Sequence, residues 1–149
     1  MGLIQGYNFP NELYYSKKHI WVKVDSNESV TFGLTDFAIK NADEVVLIEL
    51  FQKEGSQIQC DKPFGALDSA KGTNILYSPF SGTIEKRNRK VMMDALVVSN
   101  APYTIGWCIK LTPTNPTSFE EELTGLMKGD TPEFIEWITN EIKRISKAD

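Results

Sequence analysis

The chain has 149 residues, of which 41% are apolar and 24% charged, and its 16 basic and 20 acidic side chains give a formal net charge of -4. This composition is typical of a globular protein that can build one core without disulfides or a structural metal. The acidic balance argues against a dedicated nucleic-acid binder, and no apolar run approaches the ~20 residues that span a bilayer. With no signal-peptide pattern at the N-terminus, we expect a cytoplasmic protein that binds neither nucleic acid nor membrane.

Short segments rich in β-branched and aromatic residues follow one another through the first two-thirds of the chain. Residues 14–24 predict a strand that is half-buried at its end, and residues 29–33 predict the returning strand. Thr35 or Asp36 can cap a short helix over residues 37–42. Further strands are predicted at 45–51, 57–60, 64–67, 75–77, 83–86 and 106–111. Short strands at this spacing indicate a sandwich or a flattened barrel.

The C-terminal part changes to helical periodicity. Residues 112–116 contain two prolines and predict a linker. Ser118–Glu121 has the pattern of a capping box, which opens a helix that Gly129 can end. Thr131 followed by Pro132 predicts the start of a second helix. Its apolar residues recur at helical spacing, and we expect this stripe to pack onto the sheet; they are Phe134, Ile135, Ile138, Ile142 and Ile145.

These patterns divide the chain into a β-domain over residues 1–113 and a helical extension over residues 114–149 that packs on it.

Histidine and cysteine usage excludes several kinds of site. The single histidine, His19, rules out a multi-histidine metal centre, and Cys60 and Cys108 fit no metal or redox spacing. We expect no metal site. We expect His19 to be structural or to face a partner protein, because no titratable side chain is identifiable as its partner.

Lys71 is the residue with the clearest chemical potential. It is followed by Gly72 between two apolar segments, which places it at the tip of a predicted hairpin with its amine in water. A flexible stem that ends in a primary amine suits covalent attachment of a carried group. From the spacing alone, an ordinary exposed turn lysine is the simpler interpretation.

Five blocks of the sequence resemble the lipoyl-carrier H-protein of the glycine cleavage system, in that family's order and spacing. The block around the lysine reads Asp68-Ser-Ala-Lys71 and runs on to Tyr77-Ser-Pro-Phe-Ser-Gly82, where the family has Glu-Ser-Val-Lys. The resemblance therefore implies lipoate bound covalently to Lys71. The other blocks are His19–Val24, Phe32–Ala38, Glu44–Leu50 and Ser99–Trp107.

The resemblance implies a mainly β fold, the lipoyl/biotinyl-type hybrid-motif barrel, with two quasi-symmetric β-halves and C-terminal α-helices. It also implies a non-catalytic carrier, which a lipoate ligase or lipoyl transferase modifies. Lipoyl-Lys71 would take an aminomethyl group from a PLP-dependent glycine decarboxylase, pass it to an aminomethyltransferase and be reoxidised by dihydrolipoamide dehydrogenase. We expect the residues around the tip to guide recognition by these enzymes; they are Asp68, Ser69, Ala70, Gly72 and Thr73.

Three positions depart from the family pattern. Ile20 replaces the acid of His-Glu-Trp, Phe37 replaces the histidine of Thr-Asp-His-Ala, and Asn74-Ile75 replaces a Ser-Asp pair. In the family, polar side chains at these sites help to hold the loaded arm in a cleft. We therefore predict an arm cleft lined by His19, Ile20, Phe37 and Ile75, which suits an uncharged dithiolane better than a protonated amine. Drift at tolerant positions is the other interpretation.

These departures leave three functions open. The first is the glycine cleavage carrier, and the second is an H-protein-like lipoate carrier of another pathway, for example sulfur oxidation with a heterodisulfide-reductase-like complex. The long C-terminal helices fit that second branch. The third is an unmodified interaction domain. A biotin carrier is disfavoured, because Lys71 lies between Ala70 and Gly72 and not between methionines.

Overall fold

The computed structural model describes residues 3–26 and 29–148, and within these ranges the chain forms twelve strands and five helices. The strands are β1 (Leu3–Ile4), β2 (Tyr7–Asn8), β3 (Tyr14–Tyr15), β4 (Ile20–Ser26), β5 (Ser29–Leu34), β6 (Val45–Leu50), β7 (Gln57–Ile58), β8 (Pro63–Ser69), β9 (Gly72–Tyr77), β10 (Gly82–Arg87), β11 (Ile109–Pro113) and β12 (Met127–Lys128). The helices are α1 (Asp36–Asn41), α2 (Arg89–Met93), α3 (Leu96–Asn100), α4 (Pro116–Thr124) and α5 (Pro132–Ala148).

Two antiparallel sheets enclose the main core. The larger has seven strands in the order β12-β3-β4-β5-β11-β10-β7, and the smaller has three in the order β6-β8-β9. Phe32 of β5 and Phe64 of β8 are both fully buried, and their rings meet edge to face with centroids 5.0 Å apart. This contact joins the two sheets through one continuous apolar cluster.

A second core cluster lies between the N-terminal segment and α5. Phe134 of α5 stacks on Tyr15 of β3 with centroids 4.5 Å apart, and both residues are fully buried. Ile138 and Ile142 continue this buried face. Ile135, which we expected in the same stripe, is 44% exposed, because the next residue along a helix points about 100° away from its predecessor. Helix α5 therefore covers β3, β4 and α1 with one narrow apolar face.

The starts of two helices agree with the prediction. The Thr35 hydroxyl accepts a hydrogen bond of 3.1 Å from the Ala38 N–H at the start of α1. The Thr131 hydroxyl accepts one from the Phe134 N–H, and Pro132 is the first residue of α5. In both cases the side-chain oxygen satisfies a first-turn N–H group that has no partner within the helix.

The boundaries of α4 and β11 were predicted wrongly. Helix α4 begins at Pro116, because the Asn115 side chain caps it by accepting from the Ser118 N–H at 2.8 Å. The helix ends before Gly125, whereas the N–H of Gly129 donates to the Leu13 carbonyl beside β12. Strand β11 runs from Ile109 to Pro113, so it starts later than predicted and takes in part of the expected linker.

The C-terminal segment adds a strand as well as helices. Met127 and Lys128 of β12 pair with Tyr15 and Tyr14 at the edge of the larger sheet. Among the described residues, no helix combines the length and the apolar character that a membrane crossing requires.

Candidate functional site

Lys71 lies at the tip of the β8–β9 hairpin. Ser69 of β8 pairs with Gly72 of β9, which leaves Ala70 and Lys71 as a two-residue connection. Gly72 has a φ of +125°, in the region that L side chains rarely adopt. All three residues from Ala70 to Gly72 are exposed. The turn thus presents the lysine to solvent at the outermost point of the smaller sheet.

Hydrogen bonds hold the base of this tip. The Thr73 hydroxyl donates to Oδ1 of Asp68 at 2.6 Å across the hairpin. The Lys71 N–H donates to the Ser69 hydroxyl at 3.2 Å, and the Ala70 N–H donates to the Glu44 carbonyl at 3.2 Å. These hydrogen bonds fix the backbone of the tip.

The Lys71 amine points toward the end of helix α1. Its Nζ donates to the Asn41 carbonyl at 3.3 Å, and Asn41 is the last residue of that helix. Carbonyl groups at a helix C-terminus carry partial negative charge and attract cations. Asn41 also lines a cavity, so this hydrogen bond brings the amine to a residue of the cavity wall.

The cavity has a volume of about 320 Å³, at the lower end of the ~300–1,000 Å³ found for small-molecule sites. Leu67 and Asn74 line it, and this pair lies two positions from the end of the hairpin, about 7 Å of strand. The apolar part of its wall suits a hydrocarbon chain, and the charged side chains of its wall come from elements other than the hairpin. The lining residues are Lys17, Lys18, His19, Leu34, Phe37, Ala38, Asn41, Leu67, Asn74, Ile75, Leu76, Tyr77, Glu141, Arg144 and Ile145.

Three of the four residues predicted for the arm cleft lie around this cavity. His19, Phe37 and Ile75 all contribute to its wall. Ile20 lies elsewhere: it is completely buried among the core residues of the two sheets and is not part of the wall. Ile20 is the first residue of β4 and packs into the core, whereas His19 precedes the strand in a turn and its ring contacts Glu141 of α5.

The cavity is also less apolar than we expected, because helix α5 contributes to it. Glu141 and Arg144 lie on one side of α5, and both N–H groups at the guanidinium edge, Nε and Nη2, reach Oε1 of Glu141 at 2.8 and 2.7 Å. Sequence reasoning missed this pair. The sequence signal for this pair was the acidic residue directly before Ile142, next to the apolar stripe of α5. Nothing in the sequence indicates that α5 lies near the hairpin.

His19 connects the larger sheet to α5. It occupies the turn between β3 and β4 with a φ of +67°, and its N–H donates to the Ser16 carbonyl at 3.1 Å. Its ring lies between Phe37 and Trp137, with centroids 5.3 and 5.6 Å away. Our expectation that His19 has no titratable partner is wrong, because its Nε2 lies 2.9 Å from Oε2 of Glu141.

Burial lowers the pKa of His19 below its ordinary value of 6.5. The hydrogen bond and the charge of Glu141 act in the opposite direction, and Arg144 adds to the lowering. Burial therefore favours the neutral form of this imidazole. Its other ring nitrogen, Nδ1, is buried and has no hydrogen-bond partner within the described residues.

The sequence as a whole matches known proteins along most of its length. The family model described as glycine cleavage H-protein matches residues 13–134. The chain belongs to the glycine cleavage H-protein family. It is 37% identical to the glycine cleavage system H protein of Halalkalibacterium halodurans over 134 residues, which cover 90% of this chain and 98% of the relative. It is also 37% identical to that of Geobacillus thermodenitrificans over 117 residues, covering 78% and 91%.

The H-protein fold is also found among solved structures. The crystal structure of a glycine cleavage system H protein from Mycobacterium marinum matches with a TM-score of 0.66 at 24% identity, covering 71% of this chain and 87% of that one. The predicted fold class, a mainly β hybrid-motif barrel with C-terminal helices, is confirmed. Glu141, Arg144 and Ile145 lie beyond residue 134, where the match to the H-protein family model ends.

The site fits the lipoyl group that the H-protein family carries. An exposed primary amine on a fixed hairpin allows amide formation, and the wall formed by Leu34, Phe37 and Ile75 offers apolar contact to a hydrocarbon arm. The two cysteines offer no alternative redox centre. Burial raises the pKa of Cys60 to about 11 and that of Cys108 to about 12, and neither forms a disulfide.

Proposed function

We propose that this chain is the lipoyl carrier of a glycine cleavage system, with lipoate attached as an amide to Nζ of Lys71. One observation carries the proposal: the amine of an exposed lysine, at the tip of a fixed hairpin, lies 3.3 Å from the carbonyl of a residue that lines a cavity of about 320 Å³. When bound, lipoate supplies a disulfide that can take up an aminomethyl group and be reoxidised as a dithiol.

In this proposal the chain itself catalyses nothing. Its tip residues present the amine to a lipoate ligase or lipoyl transferase, and Asp68 and Thr73 keep the tip in one conformation. The apolar cavity wall shields the arm from water between visits to the partner enzymes. Those partners are a PLP-dependent glycine decarboxylase, an aminomethyltransferase and dihydrolipoamide dehydrogenase, and the proposed location is the cytoplasm.

The first test is the intact mass of the protein after incubation with lipoate and a lipoate ligase. We expect one lipoyl adduct on the wild-type chain and none on Lys71→Arg, because a guanidinium does not form the amide. Lys62→Arg is the matched control, since Lys62 is also an exposed lysine in a turn and should leave the adduct unchanged. A wild-type chain that takes no lipoate would favour an unmodified interaction domain.

The charge around the cavity favours a second candidate function. Lys17, Lys18 and Arg144 line it together with a single carboxylate, Glu141, so the wall has an excess of positive charge. Such a wall favours a neutral or anionic cargo over an ammonium group. This is the condition expected of an H-protein-like carrier in another lipoate-dependent pathway, such as sulfur oxidation.

Glycine-dependent exchange of carbon dioxide distinguishes the two functions. The lipoylated protein is combined with an authentic glycine decarboxylase, with free lipoate as the background. Exchange above this background supports the glycine cleavage carrier. Exchange at the background level from protein of verified mass would assign the cavity to a different cargo.

A further inference from the structure

The surface next to the hairpin tip carries positive charge from two separate elements. Lys17 and Lys18 belong to the turn between β3 and β4, and both are exposed. Arg144 belongs to α5, and its side chain is 68% exposed. All three line the cavity, as does Asn41, whose carbonyl accepts from the Lys71 amine. We call these three cationic side chains the basic patch.

The charge of the basic patch is only partly balanced within the molecule. Among the described residues of the cavity wall, Glu141 is the one carboxylate, and it contacts His19 at 2.9 Å and Arg144 at 2.7 Å. Neither Lys17 nor Lys18 forms an ion pair with any residue that the structure describes. Two positive charges at the wall are therefore left without an opposite charge.

The turn that carries the two lysines is held in place beside the hairpin. The Ser16 hydroxyl accepts from the N–H groups of Lys18 and Ile20 at 3.2 and 3.3 Å. The Lys18 ammonium lies 5.1 Å from the centre of the Tyr77 ring, within the ~6 Å of a cation–π contact. Tyr77 is the last residue of β9, the strand that begins at the tip. The patch therefore has a defined position relative to the lysine hairpin.

Acidic side chains also lie near the tip, but outside the cavity wall. Asp43 and Glu44 follow α1 and are exposed, and the Glu44 carbonyl accepts from the Ala70 N–H. Asp68 accepts from the Thr73 hydroxyl across the hairpin. The surface around the lysine thus carries charges of both signs in different places, so a partner that matches it docks in one orientation.

An enzyme that attaches lipoate has to reach the Lys71 amine itself, because no arm is yet present to bridge a gap. A standard protein interface covers about 800 Å² on each partner, which as a disc has a radius of about 16 Å. The basic patch shares a cavity of about 320 Å³ with Asn41, the residue that the Lys71 amine contacts. The patch therefore lies under the enzyme when the enzyme docks at the tip.

We propose that the basic patch is a docking surface for the enzyme that attaches lipoate to Lys71, and that this enzyme presents carboxylates opposite the patch. An interface that covered the patch with neutral or basic groups would bury uncompensated charge, which is strongly unfavourable. Opposite charges instead speed the encounter and fix the orientation of the two proteins. This inference rests on the proposed lipoylation of Lys71.

The rate of lipoylation tests the docking surface. Time courses of intact mass, taken at low concentrations of the unmodified full chain with a lipoate ligase, give kcat/KM for adduct formation. We expect Lys17→Glu/Lys18→Glu to lower kcat/KM by about tenfold or more, because electrostatic steering changes association rates by factors of this size. The milder pair Lys17→Gln/Lys18→Gln should lie between this variant and the wild type.

A matched double variant separates the basic patch from the total charge. Lys53 and Lys86 are exposed and lie outside the cavity wall. Lys53→Glu/Lys86→Glu changes the formal net charge from -4 to -8, as the patch variant does, because each substitution removes one positive charge and adds one negative charge. This control should keep kcat/KM close to that of the wild type.

Ionic strength provides a second readout. Raising it from ~0.01 M to ~1 M shortens the Debye length from ~30 Å to ~3 Å. This change should lower kcat/KM for the wild type and for the control, and it should not lower kcat/KM for Lys17→Glu/Lys18→Glu, which has no attraction left to screen.

The two proposals fail in different ways. A wild-type chain that gains no adduct overturns the lipoyl function, and this inference with it. If the adduct forms but the two Glu double variants have equal kcat/KM, or the patch variant reacts faster than the wild type, the docking inference alone is overturned. The Gln pair decides by the same comparison if the charge reversal disturbs the fold.

Discussion

Lys71 contributes little to the folded state, because its side chain is exposed and makes one hydrogen bond, to the Asn41 carbonyl. We expect Lys71→Ala to change the free energy of unfolding by no more than about 0.5 kcal/mol, as for surface substitutions in general. The same variant should accept no lipoate. Urea unfolding and intact mass measure the two effects. A loss of several kcal/mol would mean that the lysine has a structural role that its exposure does not indicate.

His19 makes the stability of the protein depend on pH. The folded-state pKa lies below 6.5, so the unfolded chain takes up a proton more readily than the folded one. The contribution is fully present above pH ~6.5 and is lost as the pH falls through the folded-state pKa. The charged groups at the cavity beside the ring are Glu141, Arg144, Lys17 and Lys18.

The expected signature is a difference between two proteins. The free energy of unfolding of the wild type should fall more steeply between pH 7 and pH 5 than that of His19→Asn. Asparagine suits this control because it tolerates a positive φ. Parallel pH profiles for the two proteins would show that His19 has the same pKa in the folded and unfolded states.

The β8–β9 hairpin illustrates how a single backbone angle determines the geometry of an element. Gly72 has a φ of +125°, and no heavy atom of the surrounding chain lies within 4 Å of the point where a Cβ atom would be. Gly72→Ala should therefore destabilise the protein by about 1–2 kcal/mol through the backbone alone. Gly125→Ala is the control, because Gly125 ends α4 with an ordinary φ of -79°. Thermal unfolding compares them, and equal effects would contradict this explanation.

The elements differ in how far the sequence predicts them. Local signals suffice for the lysine hairpin and for the starts of α1 and α5, because a turn glycine or a capping hydroxyl acts within a few residues of itself. The start of α4 was missed because Asn115 competes with Ser118 as the cap. Glu141 could not be assigned to the cavity, since its contact with His19 spans 122 positions of sequence.

At the scale of the whole molecule, stability depends on the contact between the two sheets. Phe64 is fully buried and meets Phe32 of the opposite sheet. We expect Phe64→Ala to cost about 3–5 kcal/mol, from lost burial and the cavity left behind. Because one core joins the sheets, fluorescence and circular dichroism should report the same transition midpoint. Separate midpoints would mean that the sheets unfold independently.

The distribution of charge over the molecule is uneven. The chain is acidic overall, with a formal net charge of -4, yet the cavity wall carries Lys17, Lys18 and Arg144 against Glu141. Composition alone could not reveal this local reversal, because it depends on α5 reaching the β3–β4 turn. An excess of positive charge confined to one site influences which cargo and which partner surface approach it.

The attachment of a group to the Lys71 amine has a practical consequence for preparing the protein. Amide formation at Nζ removes one positive charge, so the formal net charge changes from -4 to -5. The new amide keeps one N–H, which can still donate to the same carbonyl. Modified and unmodified molecules should therefore have the same hydrodynamic size but different mobility in native electrophoresis. Anion-exchange chromatography should separate a mixed preparation into its two populations without any label.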